Sequence, residues 1–172
     1  HFVLSTDVTP AAKLLSTPGI VGGGIEICPT GLSIVCEISR RLVKWGGVAL
    51  IVDFHSKNSD FSLQAVRDHQ YHDPLLNPGT ADLSCAVNFS QLSKIALENG
   101  ASIHGPRGQG EFLKSLGIDV RAEKLVADGD FESAQVICSE LRRLTEPNLM
   151  GELFQAMAIT SRNMVSMVGF EA

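Results

Sequence analysis

The chain carries no block of basic residues. Its 14 Lys and Arg against 19 Asp and Glu give a formal charge of −5, and a protein that grips a phosphate backbone needs a positive stripe. Nucleic acid is therefore not expected as a partner. No apolar run approaches the ~20 residues that cross a bilayer, and the first residues lack the basic, apolar, small-residue order of a secretory signal. Cys28, Cys36, Cys85 and Cys138 are scattered and form no Cys-x-x-Cys pair, so neither a disulfide framework nor a metal site is expected. They read as buried, reduced thiols. A glycine-rich cofactor turn between a strand and a helix is also missing. Gly22-Gly23-Gly24 leads into an apolar run instead of opening a helix, and so reads as a linker. Gly105-Pro-Arg-Gly-Gln-Gly110 puts Pro106 and Arg107 in the turn and Glu111 where an anion would sit, which predicts a surface loop.

What is present fits an α/β class. At 172 residues with 44% apolar content, the chain can form one domain with a sizeable core. Phe2 to Leu4 and Ile25 to Cys28 read as short strands, with an exposed connection from Thr9 to Gly24. Leu32, Val35, Ile38, Leu42 and Val43 recur with a helical period, while Glu37, Arg40, Arg41 and Lys44 take the wet face; the spacing predicts a helix from Pro29 that Gly46-Gly47 ends. Val48 to Val52 is wholly apolar and rich in β-branched side chains, as in a strand covered on both faces at the centre of a sheet. Ser62 to about Tyr71 reads as helical. Ser90 to Asn99 reads as a helix with Ser90 as N-cap and Gly100 as stop. Ala101 to His104 reads as a strand, Gln109 to Leu116 and Ala134 to Leu144 as helices, and Phe154 to Thr160 with Met164 to Phe170 as two adjacent antiparallel strands.

Several segments together resemble a known family. Phe2-Val-Leu4, Ile25-Glu-Ile-Cys-Pro29, Gly46-Gly-Val-Ala-Leu-Ile-Val-Asp53, Arg67-Asp-His69, His72-Asp73, Pro78-Gly-Thr-Ala-Asp-Leu-Ser84, Val87-Asn-Phe-Ser90, Phe112-Leu-Lys-Ser-Leu-Gly-Ile-Asp119 and Met150-Gly-Glu152 look, in order, like the C-terminal half of the MidA-like methyltransferases. The resemblance implies a partial class I methyltransferase (Rossmann-like) sheet, strands five to seven with flanking helices. Residues 1–172 would be the C-terminal part of a single domain whose cofactor-loop half lies upstream, and a chain opening on His1 reads as processed or as a piece of a longer one. It further implies S-adenosylmethionine as cofactor and protein arginine methylation; the mitochondrial member acts on a complex I subunit. One departure is visible: the family follows its strand with Asp-Tyr-Gly, whereas here Asp53-Phe54-His55 puts histidine where glycine permits an unusual backbone.

Arginine methylation requires the enzyme to orient a guanidinium that stays protonated at physiological pH, its pKa lying above about 12. Carboxylates do this through bidentate hydrogen bonds. Asp53 and Glu26 are the candidate catalytic carboxylates, and His69, sharing a helix face with His72, is the candidate proton carrier. Asp73, Asp82 and Thr80 are candidate substrate contacts, in a loop that Pro78 and Gly79 would hold rigid. Each has a plainer alternative: a strand-end carboxylate can cap a helix, Asp82 can stabilise its own turn, and a histidine can make a structural hydrogen bond. A non-enzymatic remnant or isoform, binding a protein through the loop from Asn77 to Phe89, is the alternative function.

Overall fold

The computed structural model describes residues 6–14, 26–55, 61–162, 164 and 166–171. Phe2 to Leu4, Gly22 to Gly24 and Ile25 lie outside the described residues, as does most of the connection from Thr9 to Gly24, of which Ala11–Leu14 is a 3-10 turn. Glu26 to Cys28 has no regular structure, so no strand forms across it.

Helix α1 (Pro29–Trp45) forms as its periodicity predicts, with Pro29 at its start and Cys28 Sγ accepting from the Gly31 N–H at 3.4 Å. Gly46, at φ 77, ends it in a backbone that favours glycine. Strand β1 (Val48–Phe54) follows. It lies at the edge of a three-stranded sheet with β5 (Ser102–Gly108) and β6 (Phe154–Thr160), in the order β1-β6-β5, and β6 runs antiparallel to both neighbours. The centre of the sheet is thus β6, whose residues 156–160 are fully buried.

On one face of the sheet Ala49, Ile51, Ile103, Met157 and Ile159 pack against α1 and α2 (Phe89–Glu98), where Val35, Phe89 and Ala96 complete the core. On the other face Val48, Leu50 and Val52 remain 40%, 51% and 43% exposed. The expectation that β1 is central and covered on both faces is therefore overturned. An all-apolar strand signals that both faces can be buried, but covering the second face needs residues that the described chain does not place there.

Ser62 to Tyr71 is not helical. It forms a hairpin of β2 (Gln64–Arg67) and β3 (Gln70–His72), and β4 (Asp82–Ser84) pairs on the far side of β2. Asp68 and His69 take φ of 51° and 61°, the doubly left-handed backbone of a tight two-residue hairpin turn. Such residue types tolerate that region better than β-branched ones. Helix α2 forms where expected, but its cap is Asn88 rather than Ser90: Asn88 Oδ1 accepts from the Gln91 N–H at 3.0 Å.

Strand β5 runs through Gly105-Pro-Arg-Gly108, where the sequence predicts a surface loop. A bulge between His104 and Arg107 lets Pro106 enter the strand. Helices α3 (Gln109–Ser115), α4 (Ile118–Asp128) and α5 (Phe131–Thr145) connect β5 to β6. The sequence does not predict α4, and Gly117, at φ 82, joins it to α3. A π-type turn, Pro147–Gly151, leads into β6.

The described residues of Met164 to Phe170 form no strand. Both edges of β6 are already taken by β1 and β5, leaving no ladder for a partner. The tail instead lies across β5: Arg107 Nη1 donates to the Gly169 carbonyl at 2.8 Å, and Phe170 packs on Phe112 with ring centroids 5.0 Å apart. All four cysteines are free, but Cys28, Cys85 and Cys138 are exposed and Cys36 is half-buried, which corrects the expectation of buried thiols. Among the described residues no helix is long and apolar enough to cross a membrane.

Candidate functional site

Stretches distant in sequence meet at the carboxyl end of β1, the side on which open α/β sheets hold their ligands. The Phe54 carbonyl accepts from the Val87 N–H at 3.0 Å, and the His55 N–H donates to the Leu153 carbonyl at 3.0 Å. Glu26 reaches the same place from the lead-in to α1. Its carboxylate accepts from the Ser62 and Leu63 N–H groups at 3.0 and 2.7 Å and from the Ser62 hydroxyl, whose oxygen in turn accepts from the Ala86 N–H at 2.9 Å. Asp53, the last charge on β1, is exposed, and its Oδ1 accepts from the Phe54 N–H at 2.7 Å. Although Cys85 is exposed, the desolvation it does suffer pushes its thiol up, and the charges of Glu26, Cys28 and Asp53 add to the effect. Negative or potentially negative groups are therefore collected here.

Beside them lies an open groove of about 360 Å³, walled by Phe54, His55, Leu149 and Leu153, with Ser62 and Glu152 among its polar lining. Leu149 belongs to the π-type turn before β6. His55 is not among the residues with positive φ. The glycine of the family pattern is thus not required for the backbone found here, and the cost expected for His55 is not incurred.

The other sequence-predicted residues sit elsewhere. His69 is at the exposed tip of the β2–β3 hairpin, and His72 follows in β3, so they share no helix face. His72 Nε2 is buried and makes no hydrogen bond among the described residues. Asp73 closes its own turn, with Oδ1 accepting from the Leu75 N–H at 2.8 Å. Thr80 does likewise, donating through Oγ1 to the Asn77 carbonyl at 2.8 Å. Asp82 is exposed on β4, opposite Val66. Val66 is four residues along the chain from Ser62, roughly 13 Å at extended spacing. The structure thus brings Glu26 and Asp53 to one strand end and carries His69, Thr80 and Asp82 to the far end of the small sheet, while Asp73 follows His72, which pairs with Ala65 near the start of β2.

The sequence reading did not propose His55, Leu149 or Glu152 for the site. The available signal was the Met150-Gly-Glu152 segment, noted for its resemblance but given no role. No group of His, Cys, Asp or Glu side chains among the described residues is arranged to hold a metal ion. The strand-to-helix glycines Gly108 and Gly110 are filled by backbone, the first against the Gly151 carbonyl and the second against the Thr145 carbonyl.

The described chain is thus mixed α/β, with Glu26 and Asp53 gathered beyond the carboxyl end of β1. The chain belongs to the family described as "Putative S-adenosyl-L-methionine-dependent methyltransferase", whose pattern matches residues 3–107. It is 38% identical over 161 residues to the Mus musculus "Protein arginine methyltransferase NDUFAF7, mitochondrial", covering 92% of this chain and 36% of that protein. The Drosophila melanogaster homologue of the same name is 34% identical over 163 residues, covering 92% and 37%. The chain therefore spans little more than a third of the length of these relatives. In fold it is similar to a Burkholderia thailandensis crystal structure described as a "likely methyl transferase" bound to S-adenosyl-homocysteine. The TM-score is 0.63 and the identity 24%, over 82% of this chain and 36% of that one.

Proposed function

We propose that this chain is the C-terminal part of a single S-adenosylmethionine-dependent methyltransferase domain that methylates arginine on a protein substrate. By analogy with the named relatives it acts in the mitochondrion, and the family resemblance extends the reading to a subunit of respiratory complex I. The observation that carries this reading is the 38% identity to a protein named as an arginine methyltransferase, across 92% of the chain. In the same reading β1, β5 and β6 are strands five, six and seven of the full sheet. The antiparallel pairing of β6 with both β1 and β5 supports that assignment.

The carboxylates divide by their surroundings. Asp53, exposed at the strand end, is the candidate catalytic carboxylate. Glu26, saturated by Ser62 and Leu63, is the candidate to hold the site together. His69, Asp73, Thr80 and Asp82 would meet substrate beyond the reacting side chain, along the small sheet. Cofactor contacts fall to the upstream half of the domain, so this chain alone should bind S-adenosylmethionine no better than about millimolar, some −4 kcal/mol.

The test uses the full-length protein with labelled S-adenosylmethionine and peptides containing arginine or lysine at one position. Methylarginine in the first peptide and no label in the second is expected. Label on lysine alone, or on neither, sinks the reading.

A further inference from the structure

The groove between Phe54 and the Leu149 to Leu153 segment is mostly apolar but carries charge of one sign. Among the described residues lining it, Glu152 alone is formally charged. Asp53 accepts from the N–H of the lining residue Phe54, and Glu26 from that of the lining residue Ser62, so two further carboxylates are bonded to its lining although neither lines the groove itself. An anionic ligand would meet repulsion from all of them; a cation would not. The groove is also small. At about 360 Å³ it falls near the lower end of the ~300 to 1,000 Å³ typical of ligand pockets, which suits one long side chain.

We propose that this groove is the subsite that receives the arginine side chain of a protein substrate, its methylene stem along Leu149 and Leu153 and its guanidinium between the Phe54 ring and Glu152. The inference rests on the function proposed above and assigns that function's substrate to these residues. A planar guanidinium fits both walls: it stacks on an aromatic face and binds a carboxylate through two parallel N–H bonds, which a lysine ammonium cannot do. Glu152 has partners of its own, and a carboxylate with about four acceptor sites can take a guanidinium in addition.

The walls are set before any substrate arrives. Phe54 pairs with Phe154 across β1 and β6, their ring centroids 6.5 Å apart, and His55 is tied to the Leu153 carbonyl at 3.0 Å. Gly151, between Leu149 and Leu153, is packed directly on the Thr145 carbonyl. Little ordering cost remains for binding.

The experiment titrates full-length protein, with leucine methyls labelled for NMR, with an arginine peptide and with its citrulline counterpart, which keeps the shape and loses the charge. The arginine peptide should shift the Leu149 and Leu153 methyl signals and the citrulline peptide should not. Glu152→Gln should weaken the arginine peptide by about tenfold, and Leu149→Lys, which adds a cation to the wall, by at least as much. Melting temperatures identify any variant that fails to fold, and the wild-type methyl shifts do not depend on the variants. Silent methyls, equal binding of citrulline, or Glu152→Gln affinity within twofold of wild type while methyl transfer proceeds would each overturn the groove assignment. Arginine-specific shifts without any methyl transfer would keep the groove and remove the proposed function.

Discussion

Glu26 accepts hydrogen bonds from both the N–H and the hydroxyl of Ser62, which lies 36 residues further along the chain. With the Leu63 N–H and the bond from Ala86 to the Ser62 hydroxyl, this contact ties the lead-in to α1 to the start of β2 and the end of β4, which lie side by side. A carboxylate so saturated has little freedom to move a proton. Glu26→Ala should cost about 3 kcal/mol by stranding backbone donors in a half-buried setting, and Ser62→Ala about 1 kcal/mol, both read from urea unfolding. If Glu26→Ala lowered turnover in the full-length protein with no change in melting temperature, Glu26 would belong to the chemistry instead.

The two faces of the main sheet should respond differently to truncation. Met157 is fully buried against α2 and its sulfur accepts from the Ser93 hydroxyl at 3.1 Å; Met157→Ala should cost about 2 to 5 kcal/mol. Leu50, read from the sequence as strand interior, is half exposed, so Leu50→Ala in this chain should cost about 1 kcal/mol or less. Comparable losses at the two positions would mean that the outer face of β1 is covered in solution.

Gly151 faces the Thr145 carbonyl so closely that a Cβ would collide with backbone atoms, which cannot swing aside as a side chain can. Gly151→Ala should destabilise by roughly 3 kcal/mol or more. Hydrogen exchange should show the loss first in the π-type turn and the end of α5. A melting temperature within a degree of wild type would refute the close packing.

Acid should loosen α5 from its ends. Asp130 caps the helix, and the backbone hydrogen bond from Ser133, at 2.8 Å, holds its carboxyl below the usual range, helped by the Ser133 side chain. Glu146 at the other end is lowered by the hydrogen bond from Arg142 at 2.8 Å. Both folded values lie below the unfolded ones. Their stabilisation is therefore complete above the unfolded pKa values near ~4 and is lost as pH falls through the lower folded values. Melting temperature followed from pH 6 downward should drop in that window, and Asp130→Asn, which keeps the acceptor without the charge, should shrink the drop. An unchanged profile would show that the cap does not depend on charge.

The sequence alone determined the family and helices α1, α2, α3 and α5. The apolar period of α1, the glycine after it, the helix that ends at Gly100 and the quoted segments from Glu26 to Glu152 are local patterns, and a helix carries its pairing within itself, so local information suffices. The apolar runs of β1 and β6 were legible as strands for a similar reason. Only the tertiary structure decided what those strands pair with and which faces they bury. Nothing in Val48 to Val52 tells that β6 lies beside it and that Leu50 faces outward, because strand neighbours and coverings come from residues about a hundred positions away. The 64 to 72 stretch went wrong on the same ground: its choice between helix and hairpin was settled by Asp68 and His69 entering left-handed backbone and by β4 pairing from the other side. The site divides in this way too. Asp53 was visible as the first charge after an apolar run, but the groove exists because Leu149 and Glu152 are folded back onto the end of β1, a juxtaposition that chain order does not encode.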